Sequence, residues 1–419
     1  MKRLVLFALL FPVIATAQIR RHAAAPPAEP APAQWLAAHA HPLTTTEATG
    51  DLSDLEPLRD VAGGAHIVAL ADGTHGTHEY FTSKLRLIQF LVTEMGFDTL
   101  AMEHTMVQIE RADAYVHGGA VDIRSALFPQ DGEVDYPFWH VEEFVAVLDW
   151  MRDYNATHDH PISIVGIDVY DGVPASAEAV KYLQSVDAAA ASVAIAKYAC
   201  LPFGRFSDSC IADASFVRDE IAANEPAYVS RSSQRDFDDA LQNATVAVQD
   251  LEALDPAARN HNMAINVAWA LDHRSESRRI IVWGHGEHFG KTVAIEKVDT
   301  AGVWLDRMFG ADYVALGNAM WSGVYLGYTV PPQAEMFIPV VDPDPQGYEN
   351  FFVQSAAPAF LLPLHQPLHS FLMRTRPLRT AGFSVDNNWD YPIDLEKKFD
   401  ALVYVALTTP THPLPAPAN

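Results

Sequence analysis

His66-Ile-Val-Ala-Leu-Ala-Asp72 is a short apolar run, and Gly73-Thr-His-Gly76 breaks it directly after an aspartate. Such a run predicts a buried β-strand. From Thr77 onward Phe81, Leu85, Ile88, Leu91, Val92 and Met95 recur at helical spacing, and Gly96 predicts the stop. Strand, glycine-broken loop and helix in that order open a β-α unit. Outward from it the pattern repeats. Thr99-Leu-Ala-Met102 reads as a second strand, with a helix through Tyr115 and another from Val141 to Tyr154. Pro161-Ile-Ser-Ile-Val-Gly-Ile-Asp168 reads as a third strand and Arg279-Ile-Ile-Val-Trp283 as a fourth. Ala301 to Phe309 is helical, and Tyr313-Val-Ala-Leu316 is a fifth strand. Residues 174–274 are mostly helical and read as an insert or cap. This alternation predicts an α/β fold with a mostly parallel sheet covered by helices on both faces.

In open parallel sheets the ligand lies beyond the carboxyl ends of the strands. The first run delivers Asp72 and, in its loop, His75. The second delivers Glu103 and His104, the third Asp168, and the fourth His285, Glu287 and His288. Any one of these alone reads better as a helix cap or surface charge; four strands delivering them at one edge point to a site. The sequence contains no G-x-S-x-G, H-E-x-x-H, P-loop or G-x-G-x-x-G, and neither cysteine follows a strand as a nucleophile would. Histidine and carboxylate remain. A neutral imidazole takes a proton from water near neutral pH, and a carboxylate orients it and stabilises its cation. His78, His104 and His117 each read as a capping or packing residue, with His78 and His104 also readable as outer groups of the site. Trp139-His140, in an aspartate- and aromatic-rich loop, reads as either a substrate rim or packing. Trp269 and Trp304 fall on apolar helical faces and read as core.

The 419 residues are 49% apolar and 19% charged, enough for a large core. A formal charge of −25 repels phosphate backbones, so nucleic acid is not an expected partner. Lys2 and Arg3, the apolar run Leu4 to Ile14 and Ala15-Thr16-Ala17 read as a signal peptide over 1–17. Export to the periplasm or beyond is the expectation, with no membrane contact for the mature chain. Residues 18–40 read as a Pro/Ala-rich tether, 41–409 as the α/β domain with its insert, and 410–419 as a disordered tail. Cys200 and Cys210 are expected to pair in an oxidising compartment. Nothing in the sequence indicates an oligomeric state.

Several stretches together resemble the erythromycin esterase family. Ala71-Asp-Gly-Thr-His-Gly-Thr-His-Glu-Tyr-Phe81 resembles its G-E-x-x-H-G opening, and Lys84-Leu-Arg86 the basic pair on the helix that follows. Gly96-Phe-Asp-Thr-Leu-Ala-Met-Glu103 resembles the second strand with its terminal glutamate. Arg259-Asn-His-Asn-Met-Ala-Ile-Asn266 resembles an R-D-x-x-M-A-x-N helix, and Val282-Trp-Gly-His-Gly-Glu-His288 resembles W-x-H-N-x-H. The resemblance implies a metal-independent hydrolase, without cofactor, acting on an ester or on a macrolide lactone, and hence a role in antibiotic resistance. It implies His75 as the general base, Asp72 and Glu103 as carboxylate partners, and His285 and His288 at the developing oxyanion and leaving alkoxide. Lys84, Arg86, Asp168 and Glu287 are expected to bind substrate. Asp72 stands where the family has Glu, Gly286 where it has Asn, and Asn260 where it has Asp. Two rival readings use the same residues: a divalent-metal hydrolase on His75, Glu103, His285 and His288, and a non-catalytic small-molecule binder.

Overall fold

The computed structural model of the chain describes residues 29–417, apart from 49, 131, 294–296, 330–333 and 383–387. The signal segment read at 1–17 and residues 18–28 of the tether lie outside the described residues. The strands are β1 (His41–Pro42), β2 (Ile67–Asp72), β3 (Thr99–Thr105), β4 (Ser163–Asp168), β5 (Ile280–His285) and β6 (Tyr313–Tyr328). They are followed by β7 (Glu335–Pro339), β8 (Ala359–Pro363), β9 (Arg376–Ala381), β10 (Asn388–Ile393) and β11 (Ala401–Thr408). Among the described residues one sheet runs β1-β8-β11-β6-β2-β5-β3-β4, with β7 on β6, while β9 and β10 pair separately. Every junction from β11 to β4 is parallel; β8, β1 and β7 are added antiparallel. The fold is therefore α/β with a mostly parallel sheet.

The central strands are apolar throughout because both faces are covered. Val68 and Leu70 of β2 enter one core with the helices His78–Met95 and Glu142–Asn155. Ile67, Ala69 and Ala71 enter the other with the helices Pro256–His273 and Ala301–Phe309. This is the two-residue alternation of a pleated strand. The helix His78–Met95 ends where predicted: Gly96 adopts a left-handed φ of 74°, and its N–H reaches Leu91 and Val92 carbonyls.

Residues 172–252 form helices with a core of their own, including Ala179, Leu183, Val217 and Leu251, so the insert is a body beside the sheet. The helix Pro256–His273 returns from it to cover β4 and β5. Asn266 fastens the two, donating to the Ile167 carbonyl at 3.0 Å while its oxygen accepts from Gln242 and Gln249. The Cys200–Cys210 disulfide lies in the insert.

Two expectations about the chain ends are corrected. Within the stretch read as tether, Pro32–His39 is a helix, with Trp35 and Leu36 buried in the second core. Its prolines and alanines concealed two apolar anchors. The tail read as disordered is packed on the molecule as far as Leu414. Pro410 bridges to Thr77, Pro413 bridges to Val141, and Leu414 is buried. Its prolines sit at an edge, where a missing N–H costs nothing.

Candidate active site

Register brings the first two groups together. Asp72 and His285 are partners across β2 and β5, so both side chains leave the sheet at the same level. The Gly73–Gly76 loop then folds His75 back over Asp72, with Nδ1 3.4 Å from Asp72 Oδ1. Gly76 is required for that fold, since a Cβ there would lie 1.7 Å from the Leu326 carbonyl oxygen of β6. Phe138 stacks on the His75 ring at 4.5 Å, and the His285 ring centroid is 5.2 Å away.

Glu103 arrives from the next strand. β3 pairs with β5 as far as Met102 and Trp283, and its pairing with β4 is irregular between Met102 and Thr105. Bulges of this kind re-aim side chains beside active sites. Here the Glu103 carboxylate lies over β5 and accepts the His285 backbone N–H at 2.7 Å. Only glycine at 284 permits this, because a Cβ would sit 2.8 Å from Glu103 Oε2 and 2.3 Å from the Phe289 ring.

Arg259, in the first turn of the helix Pro256–His273, closes the other side. It donates to both oxygens of Asp168 at 3.0 and 2.6 Å, to Glu103 at 3.2 Å and to His288 Nε2 at 3.1 Å. Because His288 Nε2 accepts, its proton is on Nδ1 and is given to Asn260 Oδ1 at 2.7 Å. His285 has the opposite tautomer. Its Nδ1 accepts the Glu287 N–H at 3.2 Å, which leaves an Nε2–H near the Thr380 hydroxyl at 3.4 Å.

The charges follow from burial and pairing. Lys84 donates to Asp72 Oδ2 at 2.7 Å and Trp283 donates to the same oxygen at 3.2 Å. Burial pushes the Asp72 carboxyl up, but Lys84 and His75 outweigh it and hold Asp72 below the usual carboxylate range. Burial pulls Lys84 down to about 8, even against its Asp72 partner. For His75, burial lowers the pKa, but Asp72 and then Glu103 outweigh it and raise it above the ordinary 6.5. Burial and the neighbouring His75 depress His285 to about 3, and burial and Arg259 do the same to His288. Three carboxylates (Asp72, Glu103 and Asp168) face two basic groups, Lys84 and Arg259. A proton on His75 completes the balance.

A profile for erythromycin esterases matches residues 92–408. The chain belongs to the erythromycin esterase family. It is a hydrolase of that type. Glu103, Asp168, Arg259, His285 and His288 fall within the matched stretch, and Asp72 and His75 precede it. This family member is 22% identical over 329 residues to erythromycin esterase type II of Escherichia coli, spanning 69% of this chain and 77% of that one. A crystal structure of a Bacillus cereus protein superposes with TM-score 0.81 at 26% identity, covering 91% of this chain and 98% of its own. An erythromycin esterase mutant, EreC, in its open conformation superposes with TM-score 0.71 at 17% identity, covering 88% and 97%.

Within this erythromycin esterase family chain, the structure gathers Asp72, His75, Glu103, His285 and His288 at one sheet edge, with Lys84 and Asp168 beside them. It corrects Arg86, which was expected to bind substrate. Two residues past Lys84, Arg86 points elsewhere and is fully buried on Asp54 at 2.7 Å and the Thr45 and Asp51 carbonyls. Asp168 is saturated by Arg259, Tyr136 and the Val169 N–H, so it anchors Arg259 rather than presenting a free carboxylate. Glu287 pairs with Lys398. His288 spends its N–H on Asn260, so nothing in its bonding presents a proton to a leaving group. Trp139 is packing: fully buried, it donates to the Glu103 carbonyl at 3.1 Å. His104 is buried against Tyr136, at 5.0 Å between rings, and depressed to about 3 by burial. Arg259, Trp283, Phe138, Thr380 and Lys398 were not read as site residues. Arg259 and Trp283 had a signal, since each opens a family-like motif, and Phe138 lies in the aromatic-rich loop. Among the described residues the donors close enough for a metal are His78, Glu143 and His412, outside this site.

Proposed function

We propose that the protein hydrolyses a carboxylic ester or lactone by direct attack of water activated at His75, without a metal in the site. One observation carries the reading: His75 turns Nδ1 to Asp72 while its ring faces a histidine kept neutral. With Nδ1 turned toward the carboxylate 3.4 Å away, Nε2 is the nitrogen that takes a proton from water. The water oxygen adds to the carbonyl carbon, and the proton moves to His75. Its cation is balanced by the third carboxylate. The neutral His285 has an Nε2–H for the oxygen that becomes negative. As the C–O bond breaks, His75 returns the proton to the alkoxide, so the proton on Asn260 from His288 is not needed. Acid and alcohol leave, and one water has been consumed.

A metal-free site is supported by how the lone pairs are used. Glu103 Oε1 and His288 Nε2 accept from Arg259, and His285 Nδ1 accepts a backbone N–H. The macrolactone as substrate rests on the relatives' names, and export rests on residues 1–17. A processed chain would begin at Gln18 and show it in its intact mass.

The test is incubation of the mature protein with macrolides and simple esters, with and without chelator, following gain of the mass of one water. Turnover that survives chelator is expected. A placed base contributes ~10²–10⁴ in rate, so His75→Ala should lose at least about two orders of magnitude with its thermal midpoint kept. Near-full activity in that variant ends the mechanism.

A further inference from the structure

A second cluster of imidazole and carboxylate lies where the C-terminal segment crosses the molecule. Glu143, in the helix Glu142–Asn155, is buried, and its Oε1 is 2.6 Å from both His78 Nδ1 and His412 Nδ1. The two rings meet edge to face, with centroids 5.5 Å apart. Donor atoms of all three residues lie within 4.8 Å of one another. We infer that His78, Glu143 and His412 form a zinc-binding clasp, separate from the hydrolytic site.

Two imidazole nitrogens with one carboxylate oxygen are a zinc donor set, completed tetrahedrally by water. Imidazole selects zinc and its transition-metal neighbours over magnesium or calcium, which prefer oxygen. The outer contacts are also those of a metal site. His78 points its other nitrogen at Glu47 Oε1, 3.3 Å away, the carboxylate-histidine arrangement that orients a ligand ring. Glu143 Oε2 is held by the His412 backbone N–H at 3.0 Å. An open cavity of about 380 Å³, lined in part by Glu47, His78, Phe81, Glu142 and His412, gives a water ligand access. In the metal-free arrangement both Nδ1 atoms crowd one oxygen, and a single cation between the three groups replaces that crowding.

The position gives the clasp a purpose. His412 belongs to the segment that hydrogen-bonds the His75 loop: the Thr411 N–H reaches the Gly76 carbonyl at 3.1 Å, and the His78 N–H reaches Thr409 at 2.9 Å. Zinc there would tie this segment to the starts of two helices beside the loop that carries His75.

The experiment uses the full chain, stripped with chelator and titrated with zinc chloride by calorimetry, with metal content and thermal midpoint measured in parallel. One zinc per chain and a raised midpoint are expected. His412 is mostly exposed, so His412→Ala should fold; it should weaken zinc by more than about tenfold, remove the midpoint rise and keep turnover. Glu143→Gln should behave likewise toward zinc, and His285→Ala should bind zinc as the parent does. No stoichiometric zinc, or zinc kept by His412→Ala and lost in His285→Ala, overturns the clasp. Turnover that chelator abolishes and zinc restores in His412→Ala would instead count against the metal-free hydrolytic mechanism, so the two proposals fail separately.

Discussion

His75 is a base whose strength is set by its neighbours. A base acts only when unprotonated, so activity is lost as pH falls through its pKa. Asp72 and Glu103 hold that pKa above 6.5, which puts the acid limb of kcat/KM above 6.5 as well. Asp72→Asn removes the main opposing charge. Its acid limb should move to lower pH and its maximum fall by ~10² or more, as read from a pH–rate profile. A limb that stays in place would mean that Asp72 does not set the base. Residue identities at this scale were largely readable, because Asp72, His75, Glu103 and His285 each sit at or just past the end of an apolar run. Direction was not. Lys84 and Arg86 look alike in sequence, but two helical steps place them about 200° apart around the axis. One meets Asp72 and the other the 45–54 loop.

Elements assemble what single residues cannot. The helix Pro256–His273 contributes one guanidinium that neutralises carboxylates from β3 and β4. Arg259→Ala leaves Asp168 buried and uncompensated, a loss of about 3–5 kcal/mol for a broken buried pair. A lowered thermal midpoint together with loss of turnover is expected; an unchanged midpoint would show that the pair is not holding the edge. Four of the five strands read from apolar runs fell within a few residues of the observed ones, and Ala301–Phe309 matched at both ends. β6 runs much further than Tyr313-Val-Ala-Leu316, since Asn318, Ser322 and three glycines interrupt its apolar pattern while the neighbours β11 and β7 extend its pairing. Arg259 escaped because a basic residue on a helix reads as solvent-facing until the fold places two acids beneath it.

The whole molecule has two bodies with different tasks, a sheet that builds the site and a helical insert with its own core. Cys200 and Cys210 staple only the insert. Closing a loop of that size contributes roughly 3 kcal/mol, so replacing both cysteines with serine should lower unfolding stability by that amount in denaturant and leave kcat/KM unchanged. A drop in kcat/KM at full folding would show the insert reporting to the site. The insert was legible as a helical block between the third and fourth strands. The packed ends were not, because proline-rich composition outweighed Trp35, Leu36 and Leu414.

β11, the last strand among the described residues, lies inside the sheet between β6 and β8. A ribosome therefore cannot finish this enzyme piecemeal. Until residue 408 has emerged, β6 and β8 face a gap, and the segment beyond it that braces the His75 loop does not yet exist. A premature stop upstream of Ala401 yields a split sheet rather than a shorter hydrolase.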